Sequence, residues 1–182
     1  MMNIKFNKIE DYRDIETLNM YQKIKNEGGD LNAFIESQKN GGARDNGRTP
    51  MQWSDKTEAG FTNGTPWIKV NPNYTTINVT AEEGDQNSIL NYFKKMVRLR
   101  KTTLALIYGK YELLDKDNPS VYCYTRILNG QKILVLLNFK AQTAKANTGL
   151  DLSKARILIG NYTDPSLTET LRPYEAVVLE LK

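Results

Sequence analysis

The sequence predicts two unlike parts in tandem: an incomplete helix-and-loop segment, then a small antiparallel β-sandwich, giving an α+β to mainly β chain. Three observations lead there. The hydrophobic period is helical before about Leu104 and strand-like after it. Between about Gly41 and Asp85 runs a stretch rich in Gly, Pro, Asn and Thr, longer than connections in compact domains usually are. The first part holds helices and a loop but no strand run to close them, so its apolar faces need a partner.

Taken in order, "KIEDYRDIETLNMYQKIKN" predicts a helix with Ile9, Tyr12, Ile15 and Asn19 stepping round one face. Gly28-Gly29 stops it. Asp30 can cap a short second helix, "DLNAFIESQKN", with Leu31, Phe34 and Ile35 inward. In the long loop, Trp53, Phe61, Trp67 and Tyr74 argue for order. Asn87 or Ser88 can cap "SILNYFKKMVRLRKTT", whose stripe is Ile89, Leu90, Phe93, Met96 and Val97. Then "YGKYELL", "SVYCYTRIL", "KILVLLNF", "ARILIGNY" and "AVVLELK" read as strands, with hairpin signals at "DNPS" and "LNGQ". The expected domains are residues 1–104 and 105–182.

Composition excludes much. The 182 residues are 40% hydrophobic with a net charge of +4, and their cations are spread without a block. A soluble globular chain is expected, without nucleic acid as a partner. No window suits a membrane span, and the N-terminus lacks the apolar run of a signal peptide, so a cytoplasmic location is expected. The Asn-X-Ser/Thr triplets at Asn63, Asn73, Asn78 and Asn161 are then chance matches. The single cysteine, Cys123, forbids an internal disulfide and reads as a small apolar residue between Tyr122 and Tyr124. Histidine is absent, which removes His-based triads and the usual zinc sites. No metal and no cofactor is expected. "GGARDNG" lacks the lysine and the strand-loop-helix setting of a phosphate loop.

"IEDYRDIETLNMY", "ARDNGRTPMQW", "GFTNGTPWIKVNPNY" and "LRPYEAVVLELK" stand in an order that resembles the C-terminal region of glycoside hydrolase family 13 α-glucosidases. The resemblance covers nearly the whole chain. It is strongest to the oligo-1,6-glucosidase branch, with trehalose-6-phosphate hydrolase nearby. It implies the last loop and helix of a (β/α)8 barrel, followed by the C-terminal sandwich. The family's catalytic carboxylates lie upstream, so no catalytic residue is expected here and the chain alone is expected to be inactive. The implied partners are an α-linked gluco-oligosaccharide and the missing barrel portion. A free-standing structural or carbohydrate-binding sandwich is the alternative of another class.

The resemblance implies two substrate-binding residues. Arg44 matches the arginine that reaches the non-reducing glucose; a guanidinium fork can hold vicinal hydroxyls, or a carboxylate that holds them. The bland reading is a loop arginine paired with a carboxylate for structure. Glu16 matches an acidic residue lining the subsite beyond the cleaved bond; its bland reading is a solvated glutamate paired with Arg13. Arg48 is expected to be loop scaffold, and Trp53 and Trp67 are expected to anchor the loop. Asp14, Asp45 and Asp55 show no spacing that would make an acid/base pair.

Overall fold

A computed structural model describes residues 4–165 and 167–182. Two compact units divide the chain, one running up to Asn91 and one spanning Tyr92–Lys182.

The first unit opens with a helical turn at Ile9–Asp11, then α1 (Ile15–Asn26) and α2 (Leu31–Ser37). The continuous helix expected from Lys8 is broken at Tyr12–Asp14. Asp14 takes an extended backbone and its Oδ2 accepts from Thr17 N, so a new helix starts at Ile15. Tyr12 therefore falls outside α1. It is buried with its ring edge-on to Phe6, while Ile15 is 69% exposed. The stop at Gly28-Gly29 is a Schellman cap. Gly29 N donates to Ile24 O and Gly28 N to Lys25 O, with Gly28 at φ +72°. Asp30 caps α2 as expected, accepting from Asn32 N and Ala33 N. Ile4, Phe6, Tyr12, Ala43 and Ile68 form a small buried core.

The long stretch is a chain of short turns rather than a featureless loop. Its largest helix is α3 (Val79–Gly84). Backbone and amide groups close it. Trp53 N and Ser54 N both donate to Ala59 O, Thr80 N donates to Trp53 O, and the buried Gln52 donates from Nε2 to Asn73 Oδ1 and Ile77 O. Trp53 and Trp67, expected to anchor this stretch, are half-exposed. Ser88 caps α4 (Ile89–Thr102), its Oγ accepting from Asn91 N.

In the second unit, α4 gives way to α5 (Leu104–Tyr108) and then to the strands. These are β1 (Lys110–Leu114), β2 (Val121–Leu128), β3 (Gln131–Asn138), β4 (Ala144–Lys145), β5 (Arg156–Gly160), β6 (Thr170–Leu171) and β7 (Ala176–Leu181). Five form one antiparallel sheet in the order β1-β2-β3-β7-β5; β4 and β6 pair separately. The β2–β3 hairpin turns on Asn129-Gly130, both at positive φ, as a two-residue loop requires. At "DNPS" the connection is longer, and Asn118 Oδ1 accepts from Ser120 N and Val121 N.

The pleat sends alternate side chains to opposite faces. Val121, Cys123, Leu134, Leu136, Val177 and Leu179 pack with Leu152 and Leu171 on one face. Ile133, Val135 and Val178 pack under Ala105, Leu99 and Leu106 on the other. Each fully buried aliphatic side chain contributes about 1.5–3 kcal/mol of transfer free energy. Burial pushes the Cys123 thiol up to about 11, in keeping with its expected role as a packed residue. "LRPYE" forms a corner. Arg172 grips the buried Glu175 at 2.7 Å and Asp164 at 2.8 Å, and lies 3.9 Å over the Tyr162 ring.

Candidate substrate-binding cleft

The first unit brings Arg44 and Glu16 to one cleft of about 190 Å³, lined also by Asp14, Thr17, Met20, Phe34, Gln38 and Gly42. Local chemistry explains the convergence. Glu16 lies in the first turn of α1, where a carboxylate is favoured by the helix dipole. Arg44 opens a tight turn, Arg44–Gly47, reached from α2 through a left-handed Gly41 at φ +115°. A side chain at Gly42 would meet Gln38 Nε2 at 2.8 Å and Ser37 O at 3.0 Å, so the chain enters the turn through a crowded position.

Asp14 fastens the two elements together. Its Oδ2 caps α1 through Thr17 N and accepts from Thr17 Oγ1 at 3.0 Å. Its Oδ1 accepts from Arg44 Nη2 at 2.7 Å and from Arg44 Nε at 3.2 Å. The neighbouring Asp45 is fully buried, and its Oδ2 accepts from the backbone N–H of Arg13 and of Asp14, both at 2.6 Å. The turn carrying Arg44 thus holds the very residues that begin α1. Arg48 Nη1 stands 4.0 Å from Asp14 Oδ1 and 3.9 Å from Asp45 Oδ1, balancing both carboxylates without a hydrogen bond to either.

The electrostatics follow. The Arg44 hydrogen bonds hold the Asp14 carboxyl below its ordinary range, outweighing the opposing effect of burial, with Thr17 assisting. The same pair raises the Arg44 guanidinium, and Glu16 adds to the field around it. Asp14 is therefore a fixed anion, unsuited to giving up a proton. Arg44 keeps 60% of its side chain exposed despite the pair. Glu16 is exposed, and no hydrogen bond engages its carboxylate among the described residues. Arg13, its proposed i−3 partner, instead donates to the Glu10 and Tyr12 carbonyls.

The bland reading of Arg44, an arginine paired with a carboxylate, is thus present in the geometry, and so is a guanidinium facing a cleft. Asp14 is the residue that sequence reasoning missed, having been weighed only as an acid/base. Its signal was local: Asp14 stands immediately before the apolar Ile15, with Glu16 in the turn that follows, as an N-cap does. Phe34, Met20 and Gln38 carried no such signal, since their place in the cleft depends on how α2 crosses α1. Among the described residues no group of His, Cys, Asp or Glu is placed to hold a metal ion.

Comparison with known proteins identifies the family. Residues 7–109 match the α-amylase catalytic domain family, and residues 111–178 match the maltogenic amylase C-terminal domain family. The chain belongs to the α-amylase family, carrying catalytic-domain sequence followed by the C-terminal domain. Within it, the chain is 45% identical to an oligo-1,6-glucosidase of Bacillus cereus across its whole length, and 39% identical to a trehalose-6-phosphate hydrolase of Bacillus subtilis. It spans about a third of the length of these relatives: 34% and 33%. Among solved structures, 99% of the chain superposes on 34% of the Bacillus licheniformis trehalose-6-phosphate hydrolase, with a TM-score of 0.86 at 38% identity. An isomaltulose synthase of Klebsiella sp. LX3 matches all of it with a TM-score of 0.83 at 34% identity.

Proposed function

We propose that this chain is the C-terminal part of an exo-acting α-glucosidase that works in the cytoplasm and hydrolyses terminal α-1,6 and α-1,4 glucosidic bonds by the retaining route. The observation that carries this reading is the shared cleft. An exposed guanidinium fixed on Asp14 and an unengaged carboxylate on Glu16 face one small cavity, in a chain 45% identical to an oligo-1,6-glucosidase. In the completed enzyme, Arg44 and the Asp14 that holds it bind hydroxyls of the terminal glucose, and Glu16 accepts a hydroxyl of the next sugar. Both do so by orienting the substrate.

The lining favours a neutral sugar over a sugar phosphate. It contains two carboxylates and one guanidinium, and that guanidinium is already neutralised by Asp14. A phosphate brought beside Glu16 would be repelled. No helix among the described residues is long and apolar enough to cross a membrane.

The test is a chimera in which this chain replaces the matching last third of the Bacillus cereus relative. Hydrolysis of isomaltose and nitrophenyl α-glucoside is expected from the chimera and none from the chain alone. A folded chimera that preferred trehalose 6-phosphate to isomaltose would overturn the assignment, and turnover by the chain alone would overturn the placement of the catalytic carboxylates upstream.

A further inference from the structure

We propose that the first unit carries a second sugar-binding cleft, separate from the one at Arg44, that anchors an α-linked gluco-oligosaccharide; naming the sugar rests on the glucosidase reading above. The cleft measures about 420 Å³, against about 190 Å³ at Arg44, and falls in the range of roughly 300–1,000 Å³ usual for small-molecule sites. The two clefts share no residue. The backbone is extended at Tyr12 and at Asp14, so neighbouring side chains leave it on opposite sides. Arg13 accordingly lines the second cleft and Asp14 the first.

A strained glutamate is built into the wall of this cleft. Glu58, Ala59 and Gly60 stand in a row in the left-handed region, at φ +52°, +58° and +65°. A Cβ disfavours that conformation, and glycine or asparagine adopts it most readily. Packing accounts for Ala59, which is buried and whose carbonyl accepts from Trp53 N and Ser54 N. Glu58 gives the turn only its own carbonyl, which accepts from Phe61 N and which glycine would supply as well. Its side chain is half-buried at the cleft, and its carboxylate has no hydrogen bond or ion pair among the described residues. Residues held against their backbone preference gather at ligand-binding sites.

The other lining groups fit a neutral sugar. Arg13 Nη1 donates to Glu10 O and Tyr12 O, and the rest of its fork engages nothing among the described residues. Lys69 is exposed and its ammonium is likewise unengaged among them. Cationic donors thus line the same cleft as an anionic acceptor, and a sugar hydroxyl, which both donates and accepts, satisfies the two kinds together. Pro66, Pro72 and the half-buried ring of Tyr74 supply flat apolar surface for the C–H face of a pyranose, and the Tyr74 hydroxyl adds a polar contact at its edge. A free anion would meet Glu58 as well as the two cations, so the mixed signs favour the neutral ligand.

Isomaltotriose titrated into the full chain, followed by backbone amide NMR, tests this. Amide shifts are expected at Glu58, Lys69 and Tyr74, as a set with its own dissociation constant. Glu58→Asn should weaken binding at that set by at least about tenfold, the loss expected of one charge-assisted contact. The same variant should melt no lower than the parent, because asparagine tolerates the left-handed region. Shifts confined to the residues around Glu16 and Arg44 overturn the proposal. So does a Glu58→Asn variant that binds as the parent does, or one that melts lower, which would make the glutamate a brace for the turn. Inorganic phosphate is titrated alongside; phosphate that moves the Arg13 and Lys69 amides and displaces isomaltotriose overturns the sugar assignment. Hydrolysis is read separately, on the Bacillus cereus chimera. An active chimera with no shifts at the second cleft sinks that cleft alone, and shifts there with a folded, inactive chimera sink the hydrolytic reading alone.

Discussion

Arg44 and Arg48 stand four positions apart near the same two carboxylates, yet their geometry divides the labour. Arg44 makes two hydrogen bonds to Asp14 and still faces the cleft, while Arg48 only approaches Asp14 and Asp45 at about ion-pair distance. In the chimera, Arg44→Ala is expected to lower kcat/KM by roughly ten- to a hundredfold, as loss of a charge-assisted sugar contact does. Arg44→Lys should recover only part, since an ammonium cannot reproduce the fork. Arg48→Ala should lower Tm and leave KM near the parent value; steady-state kinetics on each variant separate the two roles. A pH dependence belongs here too. Hydrogen bonds from Arg44 and from Arg172 hold Asp14 and Asp164 below the ordinary carboxylate range, and Gln131 with Arg156 does so for Glu180. A depressed folded-state pKa contributes stability that is fully present above the unfolded value, about 4, and lost as pH falls toward the folded one. The stability gap between parent and Arg44→Ala should therefore be full at neutral pH and shrink on acidification below about pH 4. Melts that showed the same gap under both conditions would refute the coupling.

At the scale of elements, the caps give the cleanest predictions. Ser88→Ala removes the oxygen that accepts from Asn91 N and should cost about 1 kcal/mol. Gly28→Ala forces a side chain to φ +72° and should cost about 1–2 kcal/mol, whereas Gly84→Ala, with a negative φ and open space, should be close to neutral. Urea unfolding of the three variants checks the ranking. These same caps explain what was legible in the sequence. Gly28-Gly29, Asp30, Ser88 and Asn129-Gly130 act within five residues of themselves, so a string of letters suffices to find them. Among the long strands, β2 was legible because its burial alternates, and β3 and β7 because burial on both faces writes itself as a short continuous apolar run. The two-residue strands β4 and β6 are too short to show a period and were missed. Ile15 was misplaced because Asp14, read as one more helical position, is where a second helix starts. The pairing of Asp14 with Arg44 was hidden for another reason: the partners are 30 residues apart and meet only through the turn at Gly41-Gly42.

For the whole molecule, we propose the boundary near residue 105 as the start of the sandwich that folds by itself. Residues 105–182 should then melt cooperatively, but several degrees below residues 92–182, because Leu99 no longer shields Ile133, Val135 and Val178. A non-cooperative melt of the shorter chain would move the boundary back into α4. In the full chain, limited proteolysis should cut first between about Gly41 and Asp85. That stretch is closed mainly by hydrogen bonds near the surface, with its tryptophans half-exposed, and opens locally more easily than a buried sheet. Strands and loop cut at equal rates would contradict this.

Asp14 uses both of its oxygens, one to begin a helix and one to aim an arginine, and this has an evolutionary consequence. A substitution at position 14 that retuned sugar affinity would also loosen α1, so the two traits cannot drift apart there. Position 16 carries no such double duty. If positions 14, 16 and 44 were randomised together in the complete enzyme and selected on new glucosides, the survivors should keep Asp14 and Arg44 and vary at Glu16. Changes in substrate choice among descendants of this chain would then be recorded in the first turn of a helix, beside a pair of residues that stayed the same.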